Sequence, residues 1–479
     1  MKFIKSIVNF FRLIFTNITD SLKGLASAIV WGSGQLLNKE FGKALFFFSF
    51  QFIAVMIELL TGKYFKGGVT HLRDSGFFLR GLWGLTTLGE RVTGLEEISV
   101  PPFFLEVKGD VSDTLMLEGL ISTIVLLLFL IILIWSVKDA FVSSYNYKKT
   151  GVRLSSKDYF KKVWRNGFPY IILTPSLILV LLISIMPILF GFIVAFTNYN
   201  KQNLPPDSLV QWVGLKNFIN IFGFGSGTIN FSVAFKKVFT WTIVWTIISS
   251  ATCFFGGFIQ ALIINNKRVR FTVFWRTLLI IPWAIPGMVS LLIFKMMFHE
   301  YGFMNNFLLE SGIIVERLRW LEDIMRPNLA RGTVILINIW LGYPYFMALL
   351  TGVMTSINKE LYEAADIDGA NSKQKFFHIT FPLVLYMTAP LLIMTVATNF
   401  NNFGVIYFLT GGGPGGSPGA AYAGSTDLLI TWIYKLTVDP NIRMYNMASV
   451  FSIIIFLIIG TVSTWNFTRT KAFKEEDMI

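Results

Sequence analysis

Eight stretches of about twenty apolar residues punctuate this 479-residue chain, and a stretch of that length and composition has one stable destination, a helix across a bilayer. They fall near Ala44 to Leu60, Gly119 to Val137, Tyr170 to Phe196, Val238 to Ile264, Thr272 to Phe298, Val334 to Met354, Leu383 to Leu409 and Met447 to Trp465. With 54% hydrophobic and only 14% charged residues, the chain carries more apolar surface than a water-soluble protein of its size can bury. The expected fold is an all-α polytopic membrane protein.

The net charge of +13 does not indicate a nucleic-acid partner, because the basic residues gather beside apolar spans, where membrane orientation and anionic lipid favour them. The segment Lys138 to Phe168 holds Lys138, Lys148, Lys149, Arg153, Lys157, Lys161, Lys162 and Arg165 against Asp139 and Asp158. Short basic loops stay cytoplasmic. With eight spans both termini then lie inside, as do the Asn265 to Arg270 turn and the loop around Glu363. Lys236 and Lys237 fit this scheme less well, since they sit at an outer boundary. The first fifteen residues alternate Lys2, Lys5, Asn9 and Arg12 with Phe3, Ile4, Ile7, Val8, Phe11, Ile14 and Phe15, the pattern of an interfacial amphipathic helix and not of a cleaved export signal.

Two outer segments differ in character. Residues 63–114 are long and mixed, with turn signals at Gly67-Gly68, Gly89-Glu90 and Pro101-Pro102, and suggest a small cap of strands. The run from Gly411 to Gly419, rich in glycine with Pro414 and Pro418, has no regular structure available to it. It reads as a linker or as an extracytoplasmic contact loop.

Catalytic chemistry is hard to find. The phosphate-cradling pattern Gly-x-x-x-x-Gly-Lys-Ser/Thr does not occur, so no nucleotide site is expected in this chain. The single cysteine, Cys253, and the scattered His71, His299 and His378 have no metal-ligand spacing. No catalytic residues, no metal and no cofactor are expected. Glu58, Arg276 and Lys295 sit near the ends of their spans, where long side chains reach the interface. The span centres carry amides, hydroxyls and aromatic rings instead, groups suited to a neutral polyhydroxylated solute. In the sixth span Asn338, Gly342 and Tyr345 share a helical face beside Trp340 and Leu341, and Pro344 predicts a bend. In the seventh, Thr395, Asn399 and Asn402 share another. Amides in membranes also bind helices to each other, so these faces admit either a solute path or a packing seam.

Between these two spans lies a polar stretch, Glu363-Ala364-Ala365-Asp366-Ile367-Asp368-Gly369, followed after nine residues by Ile379-Thr380-Phe381-Pro382. It reads as helix, turn, helix, with a helix start at Asn358. The stretch matches the EAA signature of ABC importer membrane subunits, with Phe381 where leucine is usual. Trp340-Leu341-Gly342-Tyr343-Pro344-Tyr345, Asn399-Phe400-Asn401-Asn402-Phe403, Gly411-Gly412-Gly413-Pro414 and Thr426-Asp427-Leu428-Leu429 extend the likeness. Over roughly Phe168 to Arg469 the chain resembles maltose/maltodextrin permease subunits of the MalF type, but without the large outer insertion between the third and fourth spans.

That resemblance implies the type I ABC importer permease fold and a bacterial plasma-membrane location. It implies four kinds of partner: a second, MalG-like permease subunit, a MalK-like ATPase homodimer that binds the ATP and Mg, an extracytoplasmic sugar-binding protein, and an oligosaccharide substrate. Matching positions assign sugar contacts to Asn338, Trp340, Leu341, Gly342, Tyr345, Thr395 and Asn399, and ATPase coupling to Glu363, Ala364, Ala365, Asp368, Gly369, Ile379 and Pro382. Thr398 stands where the family has an aromatic ring. The expected division is a cytoplasmic amphipathic segment (1–42), two spans with their outer segment (43–137), a basic loop (138–168), a six-helix permease core with its coupling loop at 356–380 (169–469), and a cytoplasmic tail (470–479). A self-sufficient carrier or channel for neutral solutes, or a permease for a different oligosaccharide, is the alternative.

Overall fold

The computed structural model describes residues 18–65, 67–90, 110–152, 155–205, 208–222, 231–266, 268–416 and 420–469. The expected N-terminal amphipathic helix, the tail at 470–479 and much of the 63–114 segment lie outside these residues. The chain divides into two compact units, Met1–Val213 and Gly214–Ile479, so the third span groups with the first unit and not with the spans that follow it. Among the described residues all regular structure is helical, and isolated bridges occur only at Thr197 with Trp212 and at Gly415 with Gly424.

The first unit runs α1 (Ile18–Ile29), α2 (Ser33–Leu37), α3 (Phe41–Thr61), a 3-10 turn (Leu72–Asp74), α4 (Phe77–Thr87), α5 (Ser112–Thr150), α6 (Ser156–Leu179), a π turn (Val180–Ile185) and α7 (Met186–Val194). Its polar interior is built around Lys43, only 1% exposed, whose ammonium meets Glu40 at 3.1 Å, Ser143 at 2.9 Å and Asp139 at 3.7 Å. A buried cation persists only with such partners.

Among the described residues of 63–114 no strand of the expected cap is found. Residues 77–87 are α4 instead, because Phe78, Gly81 and Leu85 recur at helical spacing and Gly81 brings the helix against Ser122 of α5. Glu58 explains where α4 begins. Its carboxylate accepts from the N–H groups of Gly76 at 2.9 Å and Phe78 at 2.8 Å, satisfying donors that a helix start leaves unpaired.

The second unit runs α8 (Lys216–Ile221), α9 (Phe231–Ile264), α10 (Thr272–Ala284), α11 (Gly287–Met297), α12 (Phe303–Glu310), α13 (Pro327–Ser356), α14 (Lys359–Ile367), α15 (Ser372–Lys375), a π turn (Phe376–Thr380), α16 (Phe381–Phe400), α17 (Phe403–Leu409), α18 (Leu429–Val438) and α19 (Tyr445–Arg469). Counting both units, the described residues hold seven helical stretches long and apolar enough to cross a membrane, and the bent pair α10 and α11 brings the number to eight. The pair turns by 88°. Ile285, extended at φ −86° and ψ 133°, precedes Pro286, and a residue before proline is driven out of the helical region.

Helices α9 and α13 form the centre of this unit. A side chain at Gly257 would meet Phe346 Cβ at 2.5 Å and Met347 N at 2.6 Å, and one at Gly342 would meet Cys253 Sγ at 2.5 Å. Without side chains at these two positions the helices approach closely, as small residues allow between spans. The expected bend at Pro344 does not interrupt the element: α13 continues through that residue.

Candidate functional site

The Glu363 segment is an exposed helical hairpin. Asn358 caps α14, its side-chain oxygen accepting from Glu360 N–H at 3.1 Å. Glu363 and Ala364 are exposed and Ala365 half-buried along the helix, which ends at Asp368. Gly369 reverses the chain at φ +74°, a conformation costly for residues with a Cβ. Asn371 and Gln374 then form a reciprocal cap on α15, with bonds of 3.0 and 2.8 Å. An ion pair from Lys375 to Asp366 and a 2.9 Å bond between the Tyr362 and Thr380 hydroxyls tie the two arms together.

The return arm is anchored by apolar contact. Phe376 stacks on Phe258 with ring centroids 5.6 Å apart, Phe381 lies 6.1 Å from the same ring, and Ile379 packs against that cluster. The tip is left open, with Ile367 87% and Phe377 59% exposed. Pro382 stands directly after the π turn at Phe376–Thr380, at the start of α16.

The expected solute-facing residues separate into two groups. Asn338 is buried and its amide approaches Cys253 Sγ at 3.6 Å, while Gly342 faces the same thiol. Asn399, also buried, donates to Ser250 Oγ at 2.9 Å, and its carbonyl accepts from Trp245 Nε1 at 3.1 Å. Both amides therefore face one stretch of α9. Trp340, Leu341, Tyr345 and Thr395 are only half-buried. Trp340 meets Phe294 edge-on at 4.9 Å, and Tyr345 lies 6.3 Å from Trp283. Thr395 bonds within its own helix, to Leu391 O. Asn402 does not continue the face of Thr395 and Asn399: α16 ends at Phe400, and Asn402 caps α17 by accepting from Val405 N–H at 3.3 Å. An asparagine run reads equally as a polar stripe or as a cap, and here it breaks the helix.

The glycine-rich run is built into the fold over its described part. Asp427, fully buried, pairs with Lys435 at 2.6 Å and accepts from Gly424 N–H at 2.7 Å and Thr431 Oγ1 at 3.0 Å. Burial pushes the Asp427 carboxyl above the ordinary carboxylate range, against the pull of Lys435 and these donors. Beneath the loop is a cavity of about 660 Å³ lined by Trp241, Lys237, Arg331 and Asp427. The Arg331 guanidinium lies 4.6 Å over the Trp241 ring and donates to Ser425 O at 2.8 Å. Sequence reasoning missed this cavity, although Lys237 at an unexpected boundary was a signal. Among the described residues no group of three His, Cys, Asp or Glu side chains converges as a metal site.

Residues 253–469 match the family model described as "Binding-protein-dependent transport system inner membrane component". The galactooligosaccharides transport system permease protein GanP of Bacillus subtilis is 36% identical over 94% of this chain and 98% of its own length. The chain belongs to this family. The maltodextrin transport system permease protein MdxF of the same organism is 35% identical over 95% of this chain and 97% of its own. A bacterial ABC transporter for import of the acidic polysaccharide alginate has a chain superposing with a TM-score of 0.51 over 66% of this chain and 99% of that one, at 22% identity, which is a likeness of fold. The resemblance to MalF-type ABC permease subunits is borne out, as is the all-helical polytopic fold. As a member of the family the chain is a multi-pass membrane component of a binding-protein-dependent transport system.

Proposed function

We propose that this chain is one permease subunit of an ATP-driven importer of neutral oligosaccharides of the maltodextrin type. The hairpin at 356–380 carries the reading: an exposed helix with an apolar tip, held by a capped turn and anchored to a buried aromatic cluster, suits a lever that a partner grips. In this reading an ATPase dimer on the cytoplasmic side takes α14 in a cleft, Glu363 pairs with a basic partner residue, and the small Ala364 and Ala365 permit close approach. Ile379 and Pro382 pass the motion into α16. ATP and Mg belong to that ATPase, both termini lie inside, and a second permease subunit completes the passage.

Sugar contact falls to the half-buried Trp340, Leu341, Tyr345 and Thr395, whose rings and hydroxyl suit the faces and edges of a saccharide. Asn338, Gly342 and Asn399 set the positions of those groups through α9. A binding protein outside the membrane delivers the sugar near the glycine-rich loop. Substrates of the galactooligosaccharide class are the second reading, since GanP is as similar to this chain as MdxF.

The test is sugar uptake and ATP hydrolysis by the reconstituted transporter. Glu363→Ala and Gly369→Val should abolish uptake while the subunits still insert. Full uptake with normal ATP dependence in both variants would reject the lever. Competition between maltodextrins and galactooligosaccharides separates the two substrate readings.

A further inference from the structure

A cleft in the first unit, unrelated to the hairpin or the solute path, has the makings of a lipid site. Helix α6 leans on α3, with Ser156 seated against Gly42 and the Phe160 ring 5.3 Å from Phe46. Between α5 and α6 it leaves a space of about 530 Å³, within the roughly 300–1,000 Å³ typical of small-ligand pockets. We propose that this cleft holds the phosphodiester headgroup of an anionic membrane lipid.

Its floor is electrically settled. Lys43 lies 4.1 Å over the Tyr159 ring and is matched by Glu40 and Asp139. The rim is basic: Lys138 and Lys162, both exposed, stand on α5 and α6 on either side of the opening, and the exposed amides of Asn146 and Asn166 accompany them. Two lysines with two amides match a diester with one negative charge and a hydroxylated head. The buried Tyr159 side chain lines the cleft beside Asp139 and Trp135, its hydroxyl turned toward the Asp139 carboxylate.

The surroundings select a lipid over a soluble phosphate. Trp135 and Tyr170 line the cleft, amphipathic rings of the kind that concentrate at the membrane interface. From Tyr170 an exposed apolar row continues along α6 through Ile171 and Leu173, which are 47% and 52% exposed. A free anion makes no use of that row, whereas acyl chains lie along it. Basic pockets between spans are where anionic headgroups bind.

The experiment counts lipid retained by the purified transporter in phosphatidylcholine nanodiscs doped with phosphatidylglycerol, using native mass spectrometry. Wild type should retain phosphatidylglycerol in preference to phosphatidylcholine. Lys138→Gln with Lys162→Gln should lower retention about thirty-fold, the combined effect of two interfacial lysines. Lys157→Gln with Lys161→Gln removes equal charge from the same end of α6 but outside the cleft, and should retain the lipid. Equal retention in the two double variants overturns the proposal, and so does displacement by inorganic phosphate, which would mark a soluble-anion site. Asn166→Leu, at an exposed position, should lower retention without touching charge or packing; unchanged retention there overturns the assignment too.

Discussion

Asn399 donates its side-chain amide to Ser250 Oγ at 2.9 Å, three residues along α9 from Cys253, whose sulfur Asn338 approaches at 3.6 Å. Two amides from two different spans thus converge on a single turn of a third. Removing the Ser250 hydroxyl leaves a buried amide short of one acceptor, so Ser250→Ala should lower stability by about 1 kcal/mol. Asn399→Ala should cost no less, and the double variant less than the sum of both. Thermal unfolding of the purified transporter measures this; strict additivity would mean that the bond contributes nothing.

The seam between α9 and α13 leaves no room for a side chain at Gly257. Gly257→Leu should separate the helices and cost several kcal/mol, above the roughly 1–3 of ordinary overpacking because backbone as well as side-chain atoms obstruct it. Accumulation of intact protein in the membrane is the readout, with wild-type amounts counting against the seam. Gly352→Leu is the control, since that position meets nothing within 4 Å.

Ile367 projects from the hairpin with 87% of its surface open. Replacing it with glutamate should alter stability by no more than about 0.5 kcal/mol, as at other open sites. Uptake by the assembled transporter should nevertheless fall, because a buried charge at a gripping surface goes unpaired. Uptake at the wild-type rate would show that nothing closes over the tip.

Lys435 and Asp427 are unequal partners. Lys435→Met strands a carboxylate with no exposed surface and should cost roughly 3 kcal/mol, at the lower end for a buried pair because the lysine is partly open to solvent. Asp427→Asn should be milder, since the amide leaves no buried charge to strand and the partly open Lys435 can reach water. Limited proteolysis within 411–425 reports the difference; equal protection in the two variants contradicts this ordering.

Residue spacing made much of this protein legible. Apolar length located the spans, and the Asn358 cap, Gly369 turn and Pro382 position announced the hairpin before any coordinate, because caps and turns are local chemistry. Three features escaped for a shared reason. Phe77 to Thr87 was hidden among turn residues, and the helix there depends on Ser122 and Glu58, which are remote in sequence. Asn402 was indistinguishable from a continuing polar face until the chain broke at Phe400. The partners of Asn338 and Asn399 lie 85 and 149 residues away, a distance at which periodicity carries no information.

The interlock of Gly257 with Phe346 and of Gly342 with Cys253 has a mechanical corollary. Close-packed surfaces of this kind resist sliding, so α9 and α13 travel as a single strut. Whatever opens and shuts the passage must flex elsewhere in this half of the molecule, and the weakest joints on offer are the elbow at Ile285 and Pro286 and the interruption after Phe400.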